Sequence, residues 1–304
     1  MGVYLLVGDP QDPWCLAVRS ALEAGHNETR TIRNPFADPA FFSWRLDNEQ
    51  STSRLSWAGE EPLAGDRFSG VFVRGPAWID ATEWQPDDLA YMLAETQAAL
   101  VAWLWSLDCP VVNRYPAAIW YQPRAPLLLW HPLLRHCGLP TLETVITNMP
   151  QETRALKRRL ADAGVAGVVY EPLTSPARYL VTSDDEWGRL EVMQGYAPAC
   201  FPYPYGDVHC LCVVGDHVVW QDYPGVEAAR LEPALIRFSA ATGLAFVELT
   251  LAPGSSGLCV VGVEPFPRYD HFDDVTQQRI AGRLAQMLAA RPDHSPAVAG
   301  GSAS

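Results

Sequence analysis

The sequence predicts an α/β (α+β) protein in three parts, and three observations lead there. A buried strand runs straight into a capped helix at the start, strand and helix patterns alternate through the middle, and antiparallel hairpins fill the last third. The parts are an N-terminal α/β lobe over 1–115, a small central α/β subdomain over 116–195, and a C-terminal antiparallel sheet with helices over 196–290. The segment 291–304 reads as a disordered tail.

Residues 3–7, VYLLV, are apolar without interruption, the pattern of a strand buried on both faces. Asp12-Pro13 supplies a helix cap with proline in the first turn, so 14–24 reads as helix. Strands are expected at 29–32 and 70–73, a long helix at 87–107 and a strand at 110–112. The loop GDPQDP lacks the G-x-G-x-x-G spacing of a dinucleotide site. The central part reads as a helix at 125–137, a strand at 143–147, a helix at 152–163 and a strand at 166–170. In the last part VHCLCVVGDHVVWQ (208–221) turns at Gly215-Asp216, a helix is expected near 232–241, GLAFVELTLAPGSSGLCVVGVEPFPR (243–268) forms a second hairpin, and a helix covers 274–290.

Composition excludes several function classes. With 22 basic against 35 acidic residues the formal charge is -13, so nucleic acid is not an expected partner. The most apolar run, 98–112, is too short to span a bilayer and contains Asp108, so no membrane segment is expected. The first residues carry no basic region before their apolar run and read as a strand rather than a signal peptide. Seven dispersed cysteines do not form the framework of a small secreted domain and fit a reducing cytoplasm.

The second hairpin raises the sharpest chemical question. With its turn centred on Ser256, Glu248 and Glu264 face each other on one side of the ladder. Like charges so placed need a solvated face, a proton on one of them, or a cation between them. Cys210 and Cys212 share a face, with Cys259 approaching from the next hairpin, but without C-x-x-C spacing they read as packing residues, and His209 points the other way. In RYDHFDDV (268–275), Arg268 and His271 lie in a polar loop that could form a site, while Asp273 reads as the cap of the final helix. His131 and His136 are five apart and do not form an i,i+4 metal pair. Asp9, Asp12, Trp14 and Arg74 border the mouth of the first lobe, where Arg74 either meets a ligand or pairs with an aspartate.

The order of segments resembles the ATP-grasp superfamily, most closely its RimK-like and graspetide-maturase branch. The stretches that carry this are CPVVNRYPAA (109–118), HCGLPTLETVITNMP (136–150), VVYEPL, CVVGDHVVW and GLAFVELTL…GVEPF, in the family's order. The resemblance implies an ATP-grasp fold, with activation of a carboxylate by Mg²⁺-ATP and attack by an amine. Where VVYEPL matches the family's strand, its phosphate-binding lysine is replaced by Glu171. The sole lysine of the chain is Lys157, in a helical basic run, and Arg124 is the only displaced substitute near the first phosphate position. Glu248 and Glu264 occupy the two acidic metal-ligand positions, and Phe266 stands where the family has asparagine.

The resemblance and these departures lead to one expectation and two alternatives. The expectation is an ATP-grasp-fold protein with eroded nucleotide chemistry and no cofactor, binding a peptide or protein partner in a modified-peptide or natural-product pathway. Glu248 and Glu264 are then either half-exposed strand-end charges or a relic that holds Mg²⁺ weakly. The first alternative is a working ATP-dependent carboxylate-amine ligase using ATP, Mg²⁺, Arg124, Glu248 and Glu264. The second is repurposed chemistry at His209, His271 or Cys210.

Overall fold

The computed structural model of the chain describes residues 2–36, 40–48, 50–57, 61–75, 82, 84–116, 119–120, 127–165, 167–173, 178–202, 206–222, 225–254 and 257–290. Arg124 and the tail 291–304 lie outside the described residues. The chain divides into two compact units, Met1–Arg114 with Gln278–Ser304, and Tyr115–Gln277.

In the first unit the elements run β1 (Val3–Val7), α1 (Pro13–Ala24), β2 (Glu28–Ile32), β3 (Ala40–Leu46), β4 (Ser51–Trp57), β5 (Leu63–Ala64), β6 (Phe68–Val73), α2 (Pro86–Ser106) and β7 (Val111–Val112). A parallel sheet has the order β2-β1-β6-β7, and β1, with a strand on either side, is buried at all five positions. Asp12 starts α1 as expected, its side chain accepting from the Cys15 N–H. The same carboxylate takes Arg74 Nε at 3.1 and 3.3 Å, and Trp14 is fully buried. Asp12, Trp14 and Arg74 thus brace the lobe, and the ion-pair reading of Arg74 holds.

The antiparallel sheet β3-β4-β5 is absent from the sequence-based expectation. Trp103 of α2 anchors it. Its ring is fully buried, edge-on to Phe42 at 5.2 Å and Phe68 at 6.2 Å, and its indole N–H donates to Ser53 Oγ at 3.0 Å. That one bond lets a tryptophan serve as core without an orphaned donor.

The second unit continues with α3 (Leu127–His136), β8 (Thr144–Thr147), α4 (Pro150–Asp162), β9 (Val168–Tyr170), β10 (Tyr179–Val181), α5 (Asp184–Gln194), β11 (Ala199–Pro202), β12 (His209–Val214), β13 (His217–Trp220), α6 (Val226–Thr242), β14 (Phe246–Gly254) and β15 (Gly257–Glu264); α7 (Asp274–Ala289) starts in this unit, and its residues from Gln278 on belong to the first. The pairs β9-β10 and β8-β11 are antiparallel, and an isolated bridge from Glu171 to Cys200 links the end of β9 to β11. Helices α4 and α5 close over these strands through Leu156, Leu160, Trp187 and Leu190, which pack on Val168, Val181 and Phe201. The larger sheet has the order β13-β12-β14-β15, and a bridge from Thr141 to Val260 attaches the central strands to its edge.

Helix α7 buries Ile280, Leu284 and Leu288 along one stripe at helical spacing. A Cβ built on Gly70 of β6 would lie 2.9 Å from the Leu288 carbonyl oxygen, so the close approach there requires glycine. Among the described residues no helix is long and apolar enough to cross a membrane.

Helix α5 was also missed, although Ser183 and Glu186 spell its start. Ser183 Oγ accepts from the Glu186 N–H while Glu186 accepts from the Ser183 N–H, a capping box. Ser183→Ala should therefore cost about 1 kcal/mol in urea denaturation, with the m-value unchanged.

Candidate functional site

The site is built on β14 and β15. At their tip Gly254 faces Gly257, a register that by itself would set Val263 against Glu248. One extra residue, Val261, is inserted on β15 between the pairs Leu251–Val260 and Thr250–Gly262. This bulge shifts the ladder by one and places Glu264 opposite Glu248. The expected pairing is present, and the bulge produces it where a turn centred on Ser256 had been invoked.

The two carboxylates have different surroundings. Glu248 is 1% exposed, which excludes a half-exposed strand-end charge there. Its Oε2 accepts the Arg268 N–H at 2.7 Å, and its Oε1 lies 2.5 Å from His271 Nδ1. Glu264 is half-buried, and its Oε1 accepts the Phe266 N–H at 3.0 Å. Each carboxylate is thus turned to donors on the segment after β15. A buried charge needs such partners, because an uncompensated one costs several kcal/mol.

Cys210 completes the cluster. Donor atoms of Cys210, Glu248 and His271 all lie within 4.8 Å of one another, one from β12, one from β14 and one from the short 3-10 turn Tyr269–His271. Burial, and then the charge of Glu248, push the Cys210 thiol up. A thiol held protonated in this way is not an activated nucleophile. The three residues together offer one sulfur, one nitrogen and one oxygen donor.

Arg268 meets this cluster through its backbone N–H to Glu248, and the structure places the other remaining sequence candidates apart from it. Arg268 pairs with Asp270 at 2.7 Å, and Asp273 caps α7 through the Thr276 N–H. His209 sits on the opposite face of β12 from Cys210, and Cys259 Sγ turns to the Gly257 carbonyl near the hairpin tip. His131 Nε2 bonds Thr141 Oγ1 at 2.7 Å, and His136 ends α3. Phe266 stacks on Tyr115 with ring centroids 4.5 Å apart.

Glu171 lies elsewhere, in the lining of a cavity of about 30 Å³ shared with Leu127, His131, Leu142, Cys200 and Val261. Its carboxylate is paired with Arg178 at 2.5 Å. Lys157 is held by Asp184 at 3.5 Å, with its ammonium 4.6 Å from the centre of the Trp187 ring. Arg178 and the pairing of Cys210 with His271 carry no signal that sequence spacing reveals, since each partner comes from a different element.

No family model and no curated protein matches the chain. Solved structures do. The macrocyclase MdnC bound with precursor peptide MdnA, from Microcystis aeruginosa MRC, is 15% identical with a TM-score of 0.72, covering 95% of this chain and 99% of that one. A RiPP-associated ATP-grasp ligase from Chryseobacterium gregarium, in complex with ADP and a leader and core peptide, is 14% identical with a TM-score of 0.69, covering 95% and 96%. The ATP-grasp ligase PsnB, complexed with minimal precursor, Mg and ADP, is 20% identical with a TM-score of 0.67, covering 95% and 97%. This chain has the ATP-grasp fold.

Because Glu248 is buried and Glu264 half-exposed, substitutions at the two positions should diverge. Glu248→Ala leaves the Arg268 N–H and His271 without their acceptor and should cost about 1–3 kcal/mol. Glu264→Gln keeps a carbonyl oxygen for the Phe266 N–H and removes one of two facing charges, so stability should stay within about 0.5 kcal/mol or rise. Chemical denaturation of both variants measures the difference.

Proposed function

We propose that this chain is an ATP-grasp-fold protein with eroded nucleotide chemistry that binds a peptide or protein partner in a modified-peptide pathway. The observation that carries the erosion is Glu171. Phosphoryl transfer to a carboxylate relies on fixed cations around the triphosphate, where charge spreads in the transition state. At the position matched to the family's phosphate-binding lysine this chain presents a carboxylate, and the neighbouring Arg178 is committed to neutralising it.

Other features support the same reading. Lys157 is held by Asp184 and Trp187. Phe266, at the position matched to a metal-ligating asparagine, is packed into an aromatic cluster with Tyr115 and Trp120. The residues present do not fit Mg²⁺-ATP, and no chemical step is assigned to it.

Support for the peptide half comes from the fold. MdnC was solved with a precursor peptide and the Chryseobacterium gregarium ligase with a leader and core peptide, so this scaffold accommodates peptides in related architectures. A protein can keep such binding after its chemistry is lost, because sites are grafted on folds rather than implied by them.

Calorimetry of the full chain with Mg²⁺-ATP should show no saturable binding below the millimolar range. A peptide-display selection on the immobilised chain should then recover a consensus whose binding Mg²⁺-ATP leaves unchanged. Micromolar affinity for Mg²⁺-ATP, with ADP released when a selected peptide is added, would overturn the reading in favour of a carboxylate-amine ligase.

A further inference from the structure

We propose that Cys210, Glu248 and His271 form a binding site for a zinc-class divalent cation, with thiolate, carboxylate and imidazole as ligands. The three come from separate elements of one sheet and its following turn, and their donor atoms already lie within 4.8 Å of one another. In a tetrahedral site with bonds of about 2.0–2.3 Å, ligand atoms are roughly 3.3–3.8 Å apart. The farthest donors therefore close by up to about 1–1.5 Å around the ion, while His271 Nδ1 and Glu248 Oε1, now 2.5 Å apart, separate by about 1 Å.

The donor set selects the metal. Mg²⁺ prefers oxygen ligands in octahedral geometry, whereas thiolate and imidazole favour zinc and its transition-metal neighbours. The second carboxylate of the hairpin, Glu264, is outside the group, with Oε1 taken by the Phe266 N–H. The site is thus not the two-carboxylate magnesium pair that the resemblance implies. One shared residue, Glu248, has acquired a sulfur and a nitrogen as companions.

Glu248 is prepared for the role. Its side chain is 2% exposed, and the Arg268 N–H holds Oε2 at 2.7 Å, the kind of outer support that orients a ligating carboxylate. His271 is within bonding distance of Oε1 and is 31% exposed, and Cys210 is half-buried, so the cluster opens to solvent on one side. Three protein ligands with one open position is the arrangement of zinc sites that also bind water or a further ligand. On binding, the Cys210 thiol gives up its proton, as does any proton shared between His271 and Glu248, and both are released to solvent. The inference rests on this cluster alone and is independent of whether ATP binds.

The test uses the full chain freed of metal with a chelator and titrated with Co²⁺, then Zn²⁺. One equivalent of Co²⁺ should give a near-ultraviolet thiolate-to-cobalt band with tetrahedral visible bands. Zn²⁺ should displace it, and millimolar Mg²⁺ should not. Cys210→Ser should remove the near-ultraviolet band, His271→Gln should weaken Zn²⁺ binding by at least about 100-fold, and Cys109→Ser should change neither. Absence of the band in the parent chain, or its persistence in Cys210→Ser, overturns the proposal. If Cys210→Ser does not fold, the parent spectrum and the His271→Gln affinity decide it: unchanged affinity in His271→Gln counts against the site.

Discussion

A single buried carboxylate organises the C-terminal sheet. Glu248 has no contact with bulk water worth the name, and a charge in that position persists only where the chain supplies compensating donors. Here the backbone of Arg268 and the ring of His271 supply them, so the segment after β15 is folded back onto β14. The proline residues Pro265 and Pro267 are buried along the way, and Tyr115 donates its hydroxyl to the Pro265 carbonyl at 3.2 Å. Removing the carboxylate would therefore loosen a turn, an aromatic stack and the start of α7 together, because they share one anchor.

Scaffold and chemistry have different physical requirements in this protein. The scaffold needs apolar strands and helix stripes of the right period, and these are intact from β1 to α7. Phosphate chemistry needs a few cations at fixed points, and the Glu171 carboxylate is balanced within the protein by Arg178. An ion pair of that kind offsets the charge of the carboxylate beside a largely apolar cavity lining.

Elements with strong local signals were legible in the sequence. The all-apolar run of β1, the Asp12-Pro13 cap of α1 and the long helix α2 each have strong local signals, and the observed bounds differ from the expected ones by at most one position at either end. The sheet β3-β4-β5 was not, because its core contact is made by Trp103, fifty residues downstream of Ser53. The facing carboxylates were found by parity, yet their register depends on a bulge at Val261 that no residue type announces. Cys210 was weighed with Cys212 because they share a face. Its true neighbours are Glu248, diagonal to it across the ladder, and His271, on a turn more than sixty residues away.

The hairpin also sets an order of events for the folding chain. Glu248 and His271 are separated by 23 residues, and the β14–β15 ladder lies wholly between them, so this loop closes at small entropic cost. The pairing of β12 with β14 spans about forty residues and encloses helix α6, a costlier closure. Loop closure therefore favours the two local hairpins, β12–β13 and β14–β15, over the pairing of β12 with β14. If the hairpins form first, Glu248 can meet its turn donors while the β12 side of its strand is still open to water, and the docking of Cys212 opposite it then buries a charge that already has partners.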